Sequence, residues 1–184
     1  MKITVKKLRE LNACDSGIEY FKSKHSKGVE LTDLIREDIA TNNWGILEYA
    51  NWLITHCMAY KQCVNYALYA SELALPEYER EYPNDSHIHD CIQAIKDFRD
   101  GKITKKELLD AVADAYNAAY AVAHAADAAA YAAAHAAYAA AHAAAYAAHA
   151  AAHAAYATAY ATADKNATMI KILQYGITLL EVKK

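Results

Sequence analysis

The sequence predicts an all-α protein, and three observations carry that expectation. Helix breakers are scarce, with five glycines and two prolines in 184 residues. Between Ala128 and Ala157, 22 of 30 residues are alanine, the residue with least side-chain freedom to lose in a helix. Elsewhere apolar residues recur every three or four positions, the period of one helix face. The expected layout is a compact helical domain over 1–101, an Ala/Tyr/His-rich helical segment over 102–164, and a short apolar C-terminal helix over 165–184. Sixty residues of straight helix span ~90 Å, whereas a domain of about 100 residues has a radius of gyration near 13 Å. The Ala-rich segment is therefore either broken and folded back or a projecting rod. With no glycine or proline inside it, the only turn candidates are Asn117, Asp127 and the stretch from Thr158 to Thr162.

Each element has its own local reason. Asn12 to His25 places Ala13, Gly17, Ile18 and Phe21 on one face and ends in a Ser/Lys/Gly loop. Leu31, Leu34, Ile35 and Ile39 mark a second helix, for which Thr32 is available as N-cap. A third runs near Trp44 to Cys57, with Leu47, Ala50 and Ile54 as its face and both Trp44 and Trp52 expected in the core. Met58 to Glu81 reads as a long amphipathic helix that Pro76 should kink or restart, because proline lacks the amide donor. Asp85 or Ser86 can cap a helix from His87 to Arg99, and Gly101 closes it. Thr104 and Glu107 then form a T-x-x-E capping box at the head of the Ala-rich segment. Met169, Ile170, Ile172, Leu173, Ile177, Leu179 and Leu180 make the last helix too apolar to stand free, so it should dock on the domain or on a partner chain.

Within the Ala-rich segment the interruptions are regular. Tyr116, Tyr120, His124, Asp127, Tyr131, His135, Tyr138, His142, Tyr146, His149, His153, Tyr156 and Tyr160 follow at steps of three or four, averaging an eleven-residue repeat. At about 100° per residue they share a sector about 120° wide, so one face carries rings and the rest methyl groups. A tyrosine ring buries roughly 150 to 250 Å², which makes the stripe the expected contact face; the Ala faces can also pack, since small residues let helix axes approach. The candidate partner- or ligand-binding residues are Tyr131, His135, Tyr138, His142, Tyr146, His149, His153 and Tyr156. A stripe buried with its imidazoles neutral would make His124, His135, His142, His149 and His153 a source of instability in mild acid.

Several function classes find no support. A net charge of −3 gives no basic footprint for nucleic acid. Four cysteines without CxxC spacing, after a charged start from Met1 to Glu10, point to reduced thiols and a cytoplasmic location. The Tyr and His at every turn make the Ala-rich segment too polar to span a membrane. Phosphate loops, G-x-S-x-G and H-E-x-x-H are missing from the sequence. His149 and His153 have the i, i+4 spacing of a metal pair, but no third ligand lies near them on the face, and no metal or other cofactor is expected. In the His87, His89, Asp90, Cys91 group, His87 and Cys91 share a helix face while His89 points away. His56 and Cys57 diverge by about 100° as helix neighbours, and Cys57 and Cys63 read as small buried apolar groups. No catalytic residues are assigned, and the chain is not expected to be an enzyme.

The run VNYALYASELALPEYEREYPND from Val64 to Asp85, with ACDSGIEYF at Ala13 to Phe21 and YANWL at Tyr49 to Leu53, resembles a family of small helical proteins of bacteriophages and bacteria labelled immunity proteins. Their C-terminal halves are similarly Ala-rich with aromatic punctuation. The motif resemblance covers roughly residues 3 to 100; beyond that it is compositional. It departs after the YPND turn, where Ser86, His87, Ile88 and His89 stand in place of Arg and Pro. The resemblance implies binding and neutralising of a partner and supplies no catalytic residues. The leading expectation is therefore a non-enzymatic helical binding protein of phage or bacterial conflict that blocks or sequesters a partner and self-associates. The alternative is a structural protein using the Ala-rich helix as an oligomerising rod or spacer. A small aromatic or nucleotide-like ligand on the ring face is a further expectation.

Overall fold

The computed structural model describes residues 1–120, 135, 136, 144–162 and 164–182. Those residues are all-α apart from one two-residue strand pair that the periodicity did not signal. Strand β1 (Lys2–Ile3) runs antiparallel to β2 (Val29–Glu30), pairing Lys2 with Glu30 and Ile3 with Val29. Between them lie α1 (Val5–Glu10) and α2 (Asp15–Lys24). Thr4 caps α1 by accepting the Lys7 amide at 3.2 Å. The helix ends with Asn12 at φ 58°, where the Asn12 amide reaches the Arg9 carbonyl and the Ala13 amide the Leu8 carbonyl. This is the paired-bond C-terminal motif that asparagine tolerates in place of glycine. Asn12 is thus a turn residue, and the helix expected from that point begins at Asp15. Helix α3 (Leu31–Ala40) starts directly after β2 with Glu30 at its cap position, so Thr32 lies inside its first turn and not at the cap.

Asn43 caps α4 (Trp44–His56) through its Oδ1, which accepts the Ile46 amide at 3.3 Å. Helix α5 (Tyr60–Glu81) runs through Pro76 without restarting. Buried Ala74 and Tyr78 on either side of the proline hold both halves against the core, so packing outweighs one lost backbone bond. Asp85 Oδ1 accepts the His87 amide at 2.9 Å and starts α6 (His87–Arg99). Gly101, at φ 72°, closes α6 with bonds from Gly101 to Phe98 and from Lys102 to Asp97. The T-x-x-E box then forms as the sequence predicts. The Thr104 amide donates to Glu107 Oε2 at 2.7 Å and the Glu107 amide to Thr104 Oγ1 at 3.3 Å. Helix α7 (Lys105–Tyr120) packs on α6 and passes through Asn117 without a break. Asp127 lies outside the described residues.

Helix α8 (Ala144–Ala161) ends in the Thr158 to Thr162 stretch, and Asp164 caps α9 (Lys165–Glu181) by accepting the Ala167 amide at 2.9 Å. Helix α9 docks on α3, α4, α5 and α8 of its own chain, and α8 packs on α4 and α5. Gly176 marks the tightest crossing: a Cβ there would stand 2.7 Å from the Tyr66 ring and 2.8 Å from Ile54 Cδ1. Arg36 of α3 pairs with Glu181 at the end of α9, tying the C-terminus back to the N-terminal third.

The contact face of α8 reverses the expectation. Its buried residues are Ala150, Ala151, Ala154, Ala155, Thr158 and Ala159, while His153, Tyr156 and Tyr160 of the stripe are exposed. The reason is size matching. Helix α5 offers Ala67, Ala70, Ser71 and Ala74, and α4 offers Ala50 and Asn51, all fully or nearly fully buried. Small residues facing small residues bring backbones close enough for side chains to bond the neighbouring main chain. Thr158 Oγ1 donates to the Ala70 carbonyl at 3.0 Å, and Asn51 Nδ2 donates to the Ala152 carbonyl at 2.9 Å. Asn51 Oδ1 in turn accepts from the buried Tyr66 hydroxyl at 2.9 Å. A face of rings could not reach those carbonyls.

Candidate functional site

Because the methyl face of α8 is turned inward, His153, Tyr156 and Tyr160 are carried to the surface beside α4. Trp44, Glu48, Trp52 and His56 recur at four-residue steps along α4 and form a row beside the Leu47, Ala50 and Ile54 core face. Both tryptophans are half-buried and not in the core as expected, because this row faces outward beside α8. Across the seam, Tyr156 and Tyr160 stack on each other at 5.1 Å between ring centroids, and Trp44 meets them at 5.8 and 5.7 Å. Lys165 places its Nζ 4.4 Å from the Trp44 ring and 4.9 Å from Tyr160, a cation over two aromatic faces. Further along, His56 stacks on Trp52 at 4.4 Å and His135 on His153 at 5.2 Å. Burial against these neighbours, then the nearby Tyr160 and Glu48 charges, push the Tyr156 phenol above its ordinary range.

Two depressions flank Trp52 and Glu48. A shallow one of about 230 Å³ is lined by Glu48, Asn51, Trp52, Ala152, His153 and Tyr156. The other, about 370 Å³, lies among α1, α2, α3 and α4. Its buried carboxyl is Asp38, 5% exposed, whose Oδ1 accepts from the Tyr20 hydroxyl at 3.2 Å. Burial pushes the Asp38 carboxyl up to about 6. At the rim, Ser16 Oγ lies 3.3 Å from Cys14 Sγ and 3.0 Å from the Tyr49 hydroxyl. Hydrogen bonding from Ser16 and the Gly17 backbone holds the Cys14 thiol below its ordinary value.

Of the predicted site residues, the structure brings His135, His153 and Tyr156 to this surface. Tyr146 and His149 lie on the α8 backbone with side chains outside the described ones, and Tyr131, Tyr138 and His142 lie outside the described residues altogether, as does His124. The stripe reading missed Trp44, Trp52 and His56, although their four-residue spacing off the core face was in the sequence. It also missed the cavity, which depends on four helices meeting.

The other cysteine and histidine groups do not converge. Cys91 is buried with its thiol pushed up to about 12 by desolvation, while His87 is exposed and bonded to Asp85 at 2.7 Å. Burial likewise raises Cys57 and Cys63 to about 11. Among the described residues, no group of three or more His, Cys, Asp or Glu side chains is placed to hold a metal ion. No described helix is long and apolar enough to cross a membrane.

Fold and surface define an all-α protein with an aromatic face assembled across two helices. The profile of the family described as Imm-5 like putative immunity protein matches residues 56–181, more than two thirds of the chain. The chain belongs to that family, which gives it a conflict-related role and implies a protein partner. No curated protein and no solved structure matches the chain.

Proposed function

We propose that this chain is a non-enzymatic immunity protein that blocks or sequesters a protein partner, using the aromatic face across α4 and α8 as its contact surface. The observation that carries this reading is the exposure of large rings at one seam. Tyr156 and Tyr160 are 38% and 57% exposed, with half-buried Trp44 and Trp52 beside them on α4. Tyrosine and tryptophan dominate binding energy at protein interfaces, because each buries a large area with few torsions to freeze. The Ala-rich sequence serves this role indirectly: its methyl face anchors α8 against α4 and α5, and its rings are thereby presented from a rigid base. Self-association through the same face is part of the proposal.

The test compares wild type with a variant carrying Trp44→Ser, Tyr156→Ser and Tyr160→Ser. Circular dichroism should show unchanged helicity, since none of the three is fully buried. Light scattering should show a larger species for the wild type alone, and pull-down from host lysate should lose its retained polypeptide in the variant. Identical mass and identical retained proteins for both chains would remove the face from the mechanism.

A further inference from the structure

The cavity among α1, α2, α3 and α4 opens on the other side of Trp52 and Glu48 from the α4–α8 seam, and all thirteen of its lining residues precede residue 56, ahead of the family match. We propose that it is a binding site for a small organic cation, a primary or quaternary ammonium carried on an apolar body.

Three features select that chemistry. The volume of about 370 Å³ falls in the range of ligand pockets, roughly 300 to 1,000 Å³. The walls from Leu8, Phe21, Leu34 and Leu53 are buried apolar side chains, so the body of the occupant must be apolar. The charged group within them is Asp38, and among the described residues no lysine or arginine forms an ion pair with it. Lys24, whose charge acts on Asp38, donates its Nζ to the Tyr20 hydroxyl at 2.8 Å instead. A buried carboxylate with one hydrogen bond from a phenol, and the Lys24 charge acting on it only from beyond that phenol, is incompletely compensated. A cation supplies it. Tyr49 and Trp52 line the same cavity and offer ring faces to the positive charge, and Glu48 adds a second carboxylate. An anionic ligand would meet two carboxylates and no lysine or arginine among the lining residues.

Cys14 gives an independent readout. It is exposed at the rim with a lowered thiol, whereas Cys57, Cys63 and Cys91 are half-buried or buried with raised ones. Alkylation at neutral pH should therefore fall on Cys14, and an occupant of the cavity should slow it.

The experiment uses the full chain at pH 7.5. Phenethylammonium and benzyltrimethylammonium are titrated against 2-phenylethanol and phenylacetate, followed by calorimetry and by the rate of Cys14 alkylation with iodoacetamide. Both ammonium probes should bind at least about tenfold more tightly than the alcohol and slow alkylation, with phenylacetate weakest. In Asp38→Asn the preference for ammonium over alcohol should disappear while the alcohol binds as before, which separates lost charge from lost fold. Three results overturn the proposal. They are equal affinity for ammonium and alcohol in the wild type, a preference that survives Asp38→Asn, or no ammonium binding at millimolar concentration.

Discussion

The two sides of α4 are packed by opposite means. Towards α8 and α5 the contact is made by Ala50, Asn51, Ala67, Ala70, Ala151, Ala154 and Ala155, with polar side chains reaching across to main-chain carbonyls. Towards α1 and α2 the facing side chains include Phe21, Tyr20, Tyr49 and Trp52, and a cavity of about 370 Å³ lies among them. Small residues repeated along straight helices close the gap over many turns. Bulky residues on short helices meet at a few points and leave space between them. The first arrangement suits a scaffold, and the second suits a site.

The seam should be the least tolerant place in the molecule. Ala155→Leu adds three carbons to a fully buried position against α5, and overpacking of this kind costs about 3 kcal/mol. A large drop in melting temperature with the aromatic face otherwise intact is expected; a change within about 0.5 kcal/mol would show that the helices are not in close contact. Asn51→Ala should cost about 2 kcal/mol, because it strands the fully buried Tyr66 hydroxyl and the Ala152 carbonyl together. Tyr66→Phe in the Asn51→Ala background should recover part of that loss, which chemical denaturation of the double variant would measure.

The cavity side should respond in the opposite direction. The Asp38 carboxyl is raised from 3.8 to about 6 by burial, so the folded chain holds its proton more tightly than the unfolded chain. Its contribution to stability is full below about pH 3.8 and is lost as pH rises through 6. Asp38→Asn should therefore stabilise the protein by about 2 kcal/mol at pH 8 and have no effect near pH 4. Melting curves of both chains from pH 4 to 8 check the sign; parallel curves would mean that Asp38 titrates as in water. Smallest of all, Tyr160→Ala at the exposed face removes one ring from under Lys165 and should cost about 0.5 kcal/mol, read by urea unfolding.

These outcomes also separate what was legible from what was not. The caps and helix ends at Thr104, Glu107 and Gly101 could be read from local sequence because their bonds close within a few residues. The same locality explains where helix punctuation was misread. Helix α5 continues through Pro76 with Ala74 and Tyr78 buried on either side, and Thr32 gave up the cap position to Glu30 because β2 runs straight into α3.

The sequence by itself determined that this chain is helical, and that one face of the Ala-rich segment carries rings at an eleven-residue period, because both follow from backbone propensity and rotation per residue. Which face of α8 is buried, among its described residues, was decided only by the tertiary structure. The area of a tyrosine ring argued for the stripe, but the partner surface on α4 and α5 is itself made of small residues, and only a methyl face fits closely enough to bond their main chain. The cavity belongs to the same category. Leu8, Phe21, Asp38 and Trp52 lie far apart in sequence, and no local pattern records that four helices leave room between them.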